Sequence, residues 1–404
     1  MRVLMKHFIL AAGIVAASAG FAHALTGNWA KCTGNDTGQA IEGCSAIIKQ
    51  GRESPTNLSI AYNNRGNALA HHGEFESAIK NFNEAIRLNP KIRQIRYNRA
   101  KAYAGNGQHK LALADYDFVL KGSADDADAY LNRGNAHADL KNVKFALDDY
   151  NQALELRPDY GAAFYNKGKL MFENEQFNLA AIDFNSALII NPSDAGALNG
   201  RALSRLETGL TSSAIADFAQ AIKLAPKSAE AFAGRCAAFL RRGKIDDAIA
   251  DCNTALGYAP DMVYAYRSRG QAKAERGDHS SAIADFDAAI KLRPADAQTY
   301  KDRGQSNEKE GNLAKAARDY SEAIRLNPKD QDAYNLRGRV YAKNGDVDLA
   351  LENFEKRYEL GGRSVVMDAQ SYLWDKGLYR GKINGVYGDD MRQALRACIS
   401  DPNC

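Results

Sequence analysis

The sequence predicts an all-α fold: nine helical hairpins of 34 residues each, stacked in register from residue 59 to residue 362. Three observations carry this. A basic residue recurs every 34 positions, as Arg65, Arg99, Arg133, Lys167, Arg201, Arg235, Arg269, Arg303 and Arg337, and the residue after it is always small. Twelve positions beyond that small residue Ala recurs without exception, from Ala78 through Ala180 to Ala350. Four positions after each Ala stands an aromatic ring, Phe82, Tyr116, Tyr150, Phe184, Phe218, Phe286, Tyr320 or Phe354, replaced once by Cys252. Nine copies hold this register without an insertion or a deletion, so repeats and not length decide the architecture.

Each element follows from spacing. Tyr62, Gly66 and Leu69 share one helical face, as do Ala78, Ile79, Phe82 and Ile86. Gly73 lies between the two runs and permits a tight turn. Asn89-Pro90 ends the second run, because Pro lacks an amide proton and restricts the residue before it. Gly66 and Ala78 lack bulk, so the two helices approach closely and Phe82 fills the space around them. One hairpin cannot bury its apolar face alone and must stack on a neighbour. The acids one residue before the rings, Asp115, Asp149, Asp183, Asp217, Asp251, Asp285 and Asp319, with Asn81 and Asn353 at the ends, are expected to pair structurally with the basic column.

This pattern resembles the tetratricopeptide repeat. The resemblance implies a right-handed superhelix whose first helices line a concave groove that holds extended peptides. Carried over by position, that groove contains Asn64, Asn98, Asn132 and Asn166, then Asn67, Lys101, Asn135 and Lys169 one turn on, with Tyr97 and Tyr165 among them. An Asn side chain offers donor and acceptor together, so a column of them can hold a peptide backbone without reading its side chains. Units five and six place Gly200, Leu203, Gly234, Ala237 and Leu240 there, a drier surface. Units seven to nine place Arg267, Lys301, Asp302, Arg339 and Lys343. The family's two-carboxylate clamp is not clearly matched.

Residues 1–24 read as an export signal. Arg2, Lys6 and His7 precede an apolar stretch from Phe8 to Ala22, and Ala22-His23-Ala24 fits a small-x-small cleavage site. The stretch is too short and too rich in Ala and Gly for a membrane span, and no later segment is apolar enough for one. Of 53 Lys and Arg residues, 51 remain without Arg2 and Lys6, against 49 acids. No basic block supports a nucleic-acid partner. Residues 25–58 read as a leading half-repeat expected to cap the first hairpin.

An exported chain with six cysteines suggests disulfides. Cys32 and Cys44 lie close together before the repeats, and Cys398 and Cys404 bracket the last turn. Cys236 and Cys252 replace the small residue and the ring of one unit. A bridge between the two helices is the expected reading, and two buried thiols packing as small hydrophobes are the alternative. His71-His72 reads as a polar helix end.

Residues 363–404 depart from the repeat. Ala369-Gln370, Leu373, Gly377, Tyr379, Gly381, Ile383-Asn384-Gly385, Tyr387-Gly388 and Ala394-Leu395 resemble a peptidoglycan-binding-like helical domain, with Asn384, Met391 and Cys398 where that family usually has Asp, Thr and Phe. The resemblance makes Trp374, Tyr379, Asn384 and Tyr387 candidates for stacking on sugar. So short a segment needs a staple or docking on the last hairpin.

No zinc, nucleophile-elbow, phosphate-loop or dinucleotide motif stands in the chain. The expectation is a periplasmic, non-enzymatic scaffold that needs no cofactor or metal and holds a peptide segment of a protein partner. The alternative is a cell-wall-associated accessory subunit acting through residues 363–404.

Overall fold

The computed structural model describes residues 27–401 and residue 404. The export-signal reading of residues 1–24 and the cleavage before Leu25 lie outside them. The chain divides into two compact units, one ending at Pro192 and the other beginning at Ser193. All regular structure among the described residues is helical, and no described helix is long and apolar enough to cross a membrane.

The first unit opens with α1 (Gly27–Cys32) and α2 (Thr37–Gln50). Four hairpins follow: α3 (Pro55–His71) with α4 (Phe75–Leu88), α5 (Arg93–Gly105) with α6 (His109–Gly122), α7 (Ala127–Asp139) with α8 (Val143–Leu156), and α9 (Gly161–Glu173) with α10 (Phe177–Ile190). The leading segment is thus a hairpin with a short first arm, where the sequence predicted only a half-unit. A disulfide joins Cys32 to Cys44, with Cα atoms 4.7 Å apart. Cys44 and Ile47 pack with Ala61 of α3, so the hairpin covers the first repeat.

The second unit holds five hairpins: α11 (Ala195–Glu207) with α12 (Thr211–Leu224), α13 (Ala229–Arg241) with α14 (Ile245–Tyr258), α15 (Val263–Glu275) with α16 (His279–Leu292), α17 (Ala297–Lys309) with α18 (Leu313–Leu326), and α19 (Gln331–Asn344) with α20 (Val347–Asp375). It ends in α21 (Asp389–Ser400). α20 runs past the end of the repeat pattern but breaks at Gly362, which sits at φ 66° and ψ −160°, outside helical geometry.

Burial explains the recurring residues. Every recurring Ala from Ala78 to Ala350 is fully buried, and the rings are buried with them. At Gly134 an added Cβ would lie 2.8 Å from the Tyr150 ring, so that ring would have to shift to admit a side chain there. The basic column is structural, as the sequence predicted. Arg99 donates through Nε and Nη2 to both oxygens of Asp115, at 2.7 Å each. Arg133 to Asp149, Arg201 to Asp217, Arg235 to Asp251 and Arg269 to Asp285 repeat this fork. Planar guanidinium geometry matches a carboxylate in two contacts at once. Lys167 cannot form the fork and reaches Asp183 at 3.5 Å in a single contact. Burial accordingly pushes the Asp183 carboxyl above its usual range despite Lys167.

The arginines have a second task the sequence did not show. Arg99, Arg133, Arg269 and Arg303 also donate through Nη1 to Asn83, Asp117, Asn253 and Asp287, each on the second helix of the preceding hairpin. One side chain therefore ties its own hairpin and clamps it to the previous one.

The turn inside seven of the nine hairpins uses a glycine at positive φ, such as Gly73 at 79° and Gly107 at 72°, but Lys141 (62°) and Glu175 (59°) occupy the same place. Side chains there cost backbone strain. Lys141→Gly and Glu175→Gly should each raise stability by about 1 kcal/mol, read from urea midpoints. A fall in either midpoint would show that the side chain contributes more than the turn loses.

Candidate functional site

In the first unit α3, α5, α7 and α9 are successive neighbours, and their aligned positions bring the predicted Asn row together on one face. The row is knitted laterally. Asn98 Nδ2 donates to Asn63 Oδ1 at 3.0 Å, Asn132 Nδ2 to the Tyr97 hydroxyl at 2.9 Å, and Asn166 Nδ2 to Asn135 Oδ1 at 2.9 Å. Asn64 Nδ2 reaches the Cys32 carbonyl at 3.4 Å, linking the row to the leading hairpin. Each amide therefore spans to the first helix of the preceding hairpin, and the row is held in place by these bonds.

Counting groups shows what remains. Asn98 accepts from Gln94 and donates once, so among its contacts with described residues one N–H and one lone pair stay available. Asn132 spends both N–H groups, on Tyr97 and on the Asp128 carbonyl, and keeps only its oxygen. Asn135 accepts from Tyr150 and Asn166, filling its oxygen and leaving its NH2. Asn67 stands half-buried one turn from Asn64.

The rings and cations are set among these amides. Tyr97 meets Tyr116 edge-on at 5.9 Å, and Tyr165 meets Phe184 edge-on at 5.7 Å. Burial, with Asp128 and Asp126 nearby, pushes the Tyr97 hydroxyl well above its usual range, so it stays neutral while it accepts from Asn132. Lys101 lies 5.7 Å from the Tyr97 ring centroid, and burial lowers its ammonium against the pull of Asp128. Lys169 is exposed and lies 3.8 Å from Glu173.

Sequence reasoning missed Asn63, which completes the lateral row, and Asp128, which anchors it from one turn before Asn132. Asp128 accepts from the Tyr160 hydroxyl and from Arg157 at 3.2 and 3.3 Å. Burial raises its pKa, but those hydrogen bonds outweigh burial and hold the carboxyl below its usual range. Asn132 reaches the backbone carbonyl of Asp128, a contact that the identity of residue 128 does not signal.

The other first helices differ. Gly234 and Ala237 are buried, because α13 packs directly on α11 and α15. The dry stretch predicted there is thus largely a helix–helix contact. Arg267 and Lys301 are tied to Asp296 and Asp330, the N-caps of α17 and α19, and Arg339 and Lys343 share Glu308. Asp302 is held by the amides of Gln271 and Gln298, and burial raises its pKa.

Models of the tetratricopeptide repeat match residues 59–92, 127–160, 165–229, 199–256, 236–299 and 301–362, together more than half of the chain. The chain belongs to the tetratricopeptide repeat family. A tetratricopeptide repeat protein from Parabacteroides merdae is 22% identical, with 61% of this chain and 98% of that one covered and a TM-score of 0.50, a likeness of fold. TTC0263, a tetratricopeptide repeat protein of Thermus thermophilus, is 22% identical over 45% of this chain and 97% of its own, at a TM-score of 0.39. YrrB, described as having an unusual peptide-binding site, is 21% identical over 44% of this chain and 92% of its own, at 0.38. No curated protein gives a significant match.

Residues 363–404 lie outside the matched repeats. Of the four sugar-stacking candidates, Trp374 alone is an exposed ring, at 49%, and Tyr379 is buried. The Tyr387 hydroxyl donates to Glu355, and Asn384 Oδ1 accepts from the Val386 amide. The organiser of this loop is Gln370, fully buried, whose Oε1 accepts from the amides of Asn384 and Gly385 at 3.0 and 2.9 Å. The structure thus gives Tyr379 and Asn384 internal partners and does not present the four as one exposed surface. Cys236 and Cys252 are bridged, with Cα atoms 5.5 Å apart, and so are Cys398 and Cys404.

Proposed function

We propose that this protein is a periplasmic scaffold that holds an extended peptide segment of a protein partner along the first-helix face of its first four repeats. Tetratricopeptide repeats are generally non-enzymatic scaffolds for protein partners, and the pattern carries no catalytic constellation that would set one unit apart. The observation that carries the reading is the laterally knitted row of Asn98, Asn132, Asn135 and Asn166. Asn98 keeps a donor and an acceptor, Asn132 an acceptor and Asn135 donors, so the row offers both kinds of partner to an extended backbone with its N–H and C=O groups. The row costs little ordering on binding, because its side chains are already held.

Asn98→Ala, Asn132→Ala and Asn166→Ala together should weaken partner capture by about 2–4 kcal/mol, at roughly 1 kcal/mol for each lost hydrogen bond. Quantitative pull-down of the cross-linked partner from periplasmic extract, beside far-UV circular dichroism of the variant, checks this. Unchanged capture with unchanged helicity would move the partner elsewhere. A second reading, association with the cell wall through residues 363–404, is supported by the exposed indole of Trp374. Trp374→Ala with undiminished sedimentation on purified wall would remove that support.

A further inference from the structure

A cavity of about 1120 Å³ opens between the last hairpin and the C-terminal segment. Phe354, Tyr358, Leu373, Leu395 and Ile399 line it, all part of one apolar cluster or packed against it. Its rim carries three cations, Arg339, Lys343 and Arg357, and two carboxylates, Asp368 and Asp401. Arg339 and Lys343 share Glu308. Arg357 is half-buried and has no carboxylate partner among the described residues; its guanidinium lies 5.8 Å from the Tyr358 ring centroid. An unpaired guanidinium therefore stands at the edge of an apolar hollow large enough for a small molecule.

These features select a ligand class. A guanidinium partly out of water gains most from a planar or tetrahedral oxyanion that takes two of its N–H groups. A purely apolar ligand would cover Arg357 and leave it unsatisfied, and a small polar ion would leave the apolar walls wet. The two rim carboxylates oppose a head of high negative charge. We propose that this cavity binds a single-chain anionic amphiphile, with its alkyl chain against Phe354, Leu373 and Leu395 and its carboxylate or phosphate head on Arg357. The site is independent of the Asn face, which lies in the other compact unit.

Calorimetric titration of the purified protein with decanoate and with decyl phosphate tests this, with decyltrimethylammonium as the cationic control. One equivalent of at least one anion should bind, and each added methylene should tighten it about fourfold. The tighter of the two identifies the head group the site prefers. Arg357→Gln should weaken the anion about tenfold or more without lowering the melting temperature, because Arg357 holds no carboxylate in the fold. Ala369→Trp should fill the cavity and abolish binding; if that variant does not fold, Arg357→Gln decides alone. Equal binding of decyltrimethylammonium, no saturable binding of either anion, or full retention in Arg357→Gln would each overturn the proposal.

Discussion

Removing residues 363–404 is expected to unravel the last hairpin and leave the earlier ones folded. The second helix of that hairpin does not end against solvent. Leu351, Phe354 and Tyr358 form one cluster with Val366, Leu373, Tyr379, Met391 and Leu395 from beyond Gly362. Arg392 Nε reaches Glu355 at 2.7 Å, Arg396 pairs with Asp348, and the Tyr387 hydroxyl adds a contact to Glu355 at 3.0 Å. Uncovering three large side chains costs on the order of 5 kcal/mol, at about 1.5–3 kcal/mol for each one fully buried. A repeat stack is held by its nearest neighbours, so the loss should stay local. Hydrogen exchange should show α19 and the part of α20 before Gly362 exchanging fast in the shortened chain, with α11 to α16 still protected. Unchanged protection in α19 and α20 would make the segment a separate module that merely follows the repeats. The same contacts bear on any test of wall binding, since deletion would disturb the last repeat as well as remove Trp374, and the point substitution is the cleaner probe.

How much of this was legible in the sequence depends on whether a contact obeys the period. The fork from Arg99 to Asp115 recurs at the same span of 16 residues where Arg faces Asp, as from Arg133 to Asp149, and was readable from the two columns alone. So was the close approach at Gly134, because a ring follows the small residue at that distance in every unit but the one with Cys236 and Cys252. The second contact of Arg99, to Asn83, also spans 16 residues, but backwards, and its partner varies from Asn83 to Asp117 and, for Arg337, Ser321, so no column announced it. The lateral bonds of the Asn row were hidden for another reason. Position identifies which side chains share a face, yet not whether their amides are spent on one another, and Asn132 differs from Asn98 only through Tyr97 and Asp128. Docking of residues 363–404 has no period at all. Leu351 and Leu395 meet only because Gly362 breaks α20 and turns its continuation back, and the sequence marked the break without showing what it would cover.

Replacing Cys236 and Cys252 by Ala should cost about 3 kcal/mol, and replacing them by Gly and Phe should recover most of it. The bridge closes a loop of 16 residues and restrains the unfolded chain. Both cysteines are fully buried, packed with Ala248, Ala255 and Ala265, so the Ala variant also loses sulfur volume at the one hairpin that has no ring. In the neighbouring units that space is filled differently. Gly270 admits the Phe286 ring, and an added Cβ there would lie 2.7 Å from it. The Gly–Phe pair and the Cys–Cys pair are thus two solutions to one packing problem, one apolar and one covalent. If so, the double variant regains by ring burial much of what it loses in cross-linking, and its stability no longer responds to reductant. Denaturant unfolding of the three proteins, each with and without dithiothreitol, separates the two contributions. The parent should weaken on reduction and the Gly–Phe variant should not. A Gly–Phe variant no more stable than the Ala variant would mean that the backbone of α13 and α14 has closed too far around the disulfide to accept a ring. That closure is consistent with α13 packing on α11 and α15 at once, and it would make the bridge a condition of that tight packing and no mere substitute for Phe.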